Sequence, residues 1–226
     1  MDINDQNRLC YIFNKVFSYG YKNKLSNNVI EKYIFSSSYI KELEKGFPIH
    51  ILYNDVDDVL NNIVPNASLI DEDIEIYVET DWVALMYVEL FMKYQITFEA
   101  LFTYIPLSEM YSMFPLYHEM DITQLFSRFE KIRLQKPIIF LLMKKNKITS
   151  KRLSIETGLS ISLIDSLKNG RRNIDKVEAK KLYFLANSLH VSIETLFSSI
   201  DNKNHEHEVE IMEFNEALEM LKKLNN

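Results

Sequence analysis

The sequence predicts a mainly α protein in three parts: an acidic helical domain over residues 1–130, a basic helical domain over 131–200, and a linker with an amphipathic helix over 201–226. Three observations carry this. Four Gly and five Pro in 226 residues leave little of the turn punctuation that a sandwich of short strands needs. Apolar residues recur at helical rather than alternating spacing through most of the chain. Charge is segregated: residues 131–200 hold 14 Lys and Arg against 5 Asp and Glu, residues 1–130 hold 9 against 20, and residues 201–226 hold 3 against 7, beneath a total of −6.

In chain order, Leu9, Ile12, Phe13, Val16 and Phe17 sit at helical spacing, and "NNVIEKYIFSSSYIKELEKG" continues with one or two short helices closing at Gly46. An extended stretch leads into a helix over Asp55–Ile63, stopped by Pro65, and residues 66–78 read as an acidic loop. Trp82, Leu85, Met86, Val88, Leu90, Phe91 and Tyr94 cover most of the circumference of the next helix, which predicts a buried one. Two short helices follow, each stopped before a Pro, and "DITQLFSRFEKIRLQK" is an amphipathic connector.

The basic part opens with a helix at Pro137. Thr149 caps a helix over Ser150–Thr157 that ends at Gly158, and Ser160 caps another over Ile161–Lys168 that ends at Asn169-Gly170. A helix from about Lys176 to Leu189 and a last one capped by Ser192 complete five, with Leu153, Leu159, Ile164 and Leu167 as the shared core. Beyond it, Ile211, Phe214, Leu218, Leu221 and Leu224 form one stripe that must dock on its own domain or on a partner.

Two short helices joined by a tight Gly-containing turn set the second into the major groove of DNA, and a local excess of positive charge is the footprint of a polyanion partner. The stretches "ITSKRLSIETGLSISLIDSLKNGRR" and "LANSLHVSIETLF" resemble the lambda repressor/Cro-like, XRE-type helix-turn-helix family over about residues 137–197. Leu153, Gly158, Ser160, Ile164, Asn169 and Gly170 fall where that family places core, turn and cap residues. There are three departures. Ser150 stands for the usual Gln, Ser154 for the usual Ala, and His190 for a common helix-terminating Gly.

The resemblance implies a five-helix repressor-like domain that binds double-stranded DNA through Lys147, Thr149, Ser150, Lys151, Ser160, Ile161, Ser162, Asp165, Ser166, Lys168, Asn169, Arg171 and Arg172. It places Ile161, Ser162, Asp165 and Ser166 towards the groove. That set is poor in readers, because Asp can only accept, chiefly from the amino group of cytosine, and otherwise repels phosphate. Lys144, Lys145, Lys147, Lys151, Lys168, Arg171 and Arg172 surround it, so the expectation is backbone-dominated binding with modest specificity.

Residues 82–121 resemble small bacterial proteins encoded beside ADP-ribosyltransferase-like toxins, through Trp82, Tyr87, Phe91, Tyr94, Phe98, Leu101, Met113, Pro115, His118 and Glu119. Together the two resemblances imply an antitoxin that neutralises a protein toxin by direct binding and represses its own promoter, as a homodimer or hetero-complex. The alternative is a stand-alone transcription factor whose amino-terminal domain senses a signal or dimerises. Which residues would touch a partner is not legible.

Other chemistry is weak. His118, Glu119 and Asp121 match no metal-ligand spacing, and a helix-end His satisfying a carbonyl is the simpler reading; His205 and His207 read as solvated linker. Cys10, the one cysteine, reads as a core residue and excludes a disulfide framework. The aromatics of residues 82–105 read as core. With no phosphate loop, nucleophile elbow or paired carboxylates, the expectation is a non-enzyme without cofactor or metal. The start "MDINDQNRLCYIFNKVF" lacks the charged and apolar regions of a signal peptide and no run approaches a membrane span, so a cytoplasmic protein is expected.

Overall fold

The computed structural model describes residues 3–46, 53–64 and 77–198, and among them every regular element is helical. The chain divides into two compact units, Met1–Ile132 and Arg133–Asn226. The expected acidic loop at 66–78 falls largely outside the described residues, as do the extended stretch before Asp55, the His205/His207 pair and the carboxy-terminal stripe.

In the first unit, α1 (Ile3–Lys22) turns Leu9, Ile12, Phe13, Val16 and Phe17 into the core, all essentially inaccessible to solvent. α2 (Asn27–Ser36) and α3 (Ser38–Glu44) follow, the latter capped by Ser37, and Gly46 ends the pair in the left-handed region at φ 84°. Asp55 caps α4 (Val56–Ile63). α5 (Val78–Tyr94) lies along α1 and touches α6 (Phe98–Tyr104) and α7 (Leu107–Tyr117), which in turn pack on α2. α8 (Ile122–Gln135) buries Leu125 and Phe129.

Aromatic rings fill the centre. Phe13 meets Phe98 edge-on at 4.8 Å, Tyr87 meets Phe102 at 4.7 Å, and Phe91 stacks on Phe98 at 4.7 Å. The fully buried Tyr87 donates its hydroxyl to the Ile105 carbonyl at 2.7 Å, and burial holds its proton well above the usual phenol range. Phe13, Tyr87, Phe98 and Phe102 are fully buried core. Two carboxylates cap helices from a distance: Glu31, 2% exposed, accepts from the Leu107 amide at 2.8 Å, and Glu44 accepts from the Phe98 amide at 2.7 Å. Between α1 and α5 lies a buried polar lattice, in which the Asn14 amide group donates to Asp81 at 3.0 Å, while Ser18 (3.1 Å) and Thr80 (2.9 Å) approach the Asn14 carbonyl oxygen.

Two expectations need correcting here. α5 is not buried all round: Leu85 is 39% exposed, and Trp82, Phe91 and Tyr94 are only partly covered, because α1, α6 and α7 enclose it on three sides and leave a strip open. α7 is not stopped before Pro115 but carries it inside and runs on to Tyr117. Proline there forfeits one amide donor near the helix end, while buried Met110 and Met113 and the Trp82–Phe114 contact at 5.7 Å anchor the turns just before it.

Among the described residues of the second unit, five helices pack around Leu142, Leu153, Leu159, Ile164, Leu167, Leu185 and Leu196. α9 (Ile138–Lys145) follows Pro137, α10 (Ser150–Thr157) and α11 (Ile161–Lys168) form the paired motif, and α12 (Ala179–Leu189) and α13 (Ile193–Phe197) close it. α12 begins at Ala179 rather than near Lys176, because Ile174–Lys176 form a short 3-10 turn and Val177 is extended at φ −98°, ψ 131°.

Candidate nucleic-acid interface

The motif is set by its caps. Thr149 accepts from the Arg152 amide and starts α10; Ser160 accepts from the Leu163 amide and starts α11. Between them Gly158 adopts φ 69°, ψ 9°, and its amide reaches the Ser154 carbonyl at 2.9 Å. Such a left-handed residue turns the chain within three residues. α10 packs on α12 and α11, and α9 supports α11, so both motif helices rest on a common apolar floor.

Ile164 and Leu167 point into that floor, which leaves Ile161, Ser162, Asp165 and Ser166 as the opposite ridge of α11. Ile161 is 45% exposed and Ser162 is also exposed. Ser166 turns its hydroxyl back to donate to the Ser162 carbonyl at 2.7 Å. Asp165 is half-buried, and one of its oxygens accepts from the Ser150 hydroxyl at 2.6 Å. The serine that stands for the usual glutamine and the acid that stands for a reader are therefore bonded to each other across the two helices.

The other departures also have local partners. Ser154 donates to the Leu159 carbonyl in the turn at 2.5 Å, and His190 ends α12 in the left-handed region at φ 58°, where a glycine would be unstrained. Lys147 takes the same conformation, φ 53°, between α9 and α10.

Lys144, Lys145, Lys147, Lys151, Arg171 and Arg172 are exposed, Lys168 is half-buried, and Asn169 is exposed as the cap of α11. The amides of Arg171 and Arg172 both reach the Ser166 carbonyl, at 2.9 and 3.3 Å, which fixes the backbone after α11 and so the roots of both arginines. Arg172 also donates to the Lys176 carbonyl at 3.3 Å. Arg152 is engaged by Glu156 at 2.8 Å. The feature that sequence inspection missed is the Ser150–Asp165 bond; fifteen residues separate the two, and no local pattern marks the pair. Asn146, also missed, donates to the Leu189 carbonyl at 2.6 Å and ties α9 to the end of α12.

Elsewhere, His118 stacks on Phe114 at 4.6 Å with its Nδ1 2.8 Å from the Phe114 carbonyl, the helix-end role expected for it. Asp121 accepts from the Thr123 amide at 2.9 Å, and its bonding to Thr123 lowers its carboxyl below the usual range. Among the described residues no group of His, Cys, Asp and Glu is arranged to hold a metal ion, and no helix is long and apolar enough to cross a membrane.

No curated protein and no solved structure matches the chain. Residues 141–202 match the family model of the Cro/C1-type HTH DNA-binding domain, and the chain thus carries a DNA-binding domain of that type, the signature of a transcription regulator, in its carboxy-terminal unit.

Proposed function

We propose that this regulator represses its own promoter by holding DNA chiefly through phosphate contacts, and that its acidic amino-terminal unit binds and neutralises a basic protein toxin encoded beside it. The observation that supports the DNA half most directly is the capped α10–Gly158–α11 motif with exposed cations at both ends and few base-reading donors on its ridge. Contacts of Lys144, Lys145, Lys147, Lys151, Lys168, Arg171 and Arg172 to phosphate release condensed counterions. Seven of them would give a log–log salt slope of about −6, a loss of about a thousandfold or more between 50 and 200 mM salt.

For the partner half the support is charge: residues 1–130 carry 9 Lys and Arg against 20 Asp and Glu, a surface that steers a basic partner and suits a cleft built for nucleic acid or nucleotide. The test uses the full chain. Its binding to its own promoter DNA is titrated against salt, and a weak, salt-insensitive interaction refutes the first half. A variant disabled in the motif by Lys151→Glu and Arg171→Glu should still rescue growth from the neighbouring gene product; loss of rescue, or the absence of any toxic neighbour, refutes the second and leaves a stand-alone regulator.

A further inference from the structure

We infer that Asp165, aimed by Ser150, is an acceptor that selects cytosine in the major groove; this rests on the DNA-binding reading above and adds a base identity to it. Asp165 lies on the exposed ridge of α11, opposite buried Ile164 and Leu167. Its Oδ1 accepts from the Ser150 hydroxyl at 2.6 Å, and among the described residues its Oδ2 has no protein partner. A carboxylate tethered through one oxygen presents the other in a fixed direction, which a free Asp on a helix surface would not do. The next residue of the ridge has the same polarity. The Ser166 hydroxyl spends its proton on the Ser162 carbonyl at 2.7 Å, so outward it too offers lone pairs only.

Among base edges in the major groove an acceptor can be met only by an exocyclic amino group, through the one N–H that base pairing leaves free. Guanine presents N7 and O6 and thymine presents O4, all acceptors, which a carboxylate repels. That leaves the N4 amino group of cytosine and the N6 amino group of adenine. Adenine places its N7 acceptor beside N6, whereas cytosine has only a C–H beside N4, so the negative oxygen favours cytosine. Ser150 is a positioning residue in this scheme, and its hydroxyl is what a longer Gln would not supply in the same place.

The experiment is selection of DNA from a random library by the full-length protein at about 50 mM salt, repeated with Asp165→Ala, Ser150→Ala and Ser150→Thr, each first shown by thermal melting to be folded. The wild type should enrich cytosine at a position where Asp165→Ala shows no preference, with the other positions of the pattern unchanged. On the selected site, replacing that C·G pair by T·A should weaken the wild type about tenfold, the scale of one charge-assisted base contact, and leave Asp165→Ala unaffected. Ser150→Ala should blunt the preference at the same position alone, and Ser150→Thr should restore it. An unchanged pattern in Asp165→Ala overturns the proposal, as does enrichment of guanine or thymine at the affected position or a uniform loss at every position in Ser150→Ala. DNA that binds with no selected sequence overturns it while sparing the binding reading; DNA that is not retained at all by the wild type overturns both.

Discussion

Replacing Gly158 tests the motif's geometry at its narrowest point. The residue sits at φ 69°, and a Cβ built there meets nothing within 4 Å, so the cost of Gly158→Ala is conformational rather than steric. Holding an L-residue in the left-handed region costs about 1–2 kcal/mol, and the narrower unfolded ensemble of alanine returns about 0.4–1 kcal/mol, leaving a net loss of about 1 kcal/mol. Gly158→Asn, whose side chain tolerates that region, should lose about half as much. Gly170→Ala should exceed Gly158→Ala, because φ is +67° there and the added Cβ would also lie 3.2 Å from the Pro137 ring. The one tryptophan, Trp82, lies in the other unit, outside the motif. Backbone hydrogen exchange of the α10 and α11 amides under urea is therefore the assay. A loss above about 3 kcal/mol for Gly158→Ala, or asparagine as costly as alanine, would show that more than backbone conformation holds this turn.

His190→Gly should stabilise the second unit by about 0.5–1 kcal/mol by relieving the same strain at an exposed helix end, seen as slower exchange in α12; no change or a loss contradicts it. Burial, followed by the charges of Glu89 and Asp81, pushes the Cys10 thiol up from 9.0 to about 12, so at pH 8 its thiolate fraction falls by about a thousandfold and iodoacetamide should modify it correspondingly slowly. Alkylation at the rate of a free cysteine would refute that. Glu31→Gln keeps an acceptor for the Leu107 amide and should cost about 1 kcal/mol, whereas Glu31→Ala strands that amide and should cost about 3 kcal/mol, measured by urea unfolding followed through Trp82; equal losses would mean that charge alone matters there. Arg171→Ala should weaken binding to every DNA sequence alike and lower the salt slope by about 1, measured by titration on two unrelated duplexes.

The helical architecture was legible because its signals are local. Thr149, Ser160 and Ser192 cap helices in sequence and in structure, and Gly158 and Gly170 take the positive φ that marks them as stops. What stayed hidden depends on neighbours distant in sequence. α5 is apolar over most of its circumference, and only Glu89 and Lys93, in line with exposed Leu85, hinted at the strip that stays uncovered. Pro115 reads as a terminator until Met110, Met113 and Phe114 are seen anchoring the turns just before it. At the candidate interface, position alone put Ile161, Ser162, Asp165 and Ser166 on one ridge, but the direction of the Asp165 carboxylate follows from Ser150, and a hydrogen bond between helices has no one-dimensional trace.

The polar lattice between α1 and α5 bears on how a helix without a distinct apolar face finds its place. Sliding α5 one residue along α1 moves it about 1.5 Å and turns it 100°, and where apolar side chains cover most of the circumference such a slip largely exchanges one hydrophobic contact for another. Asn14, Ser18 and Thr80 change that, since all three are buried and bonded to one another, and a slip would orphan each at about 1–3 kcal/mol. The lattice thus works as an index mark: it adds little to how tightly the two helices adhere, and it decides at which single rotation and offset they may do so.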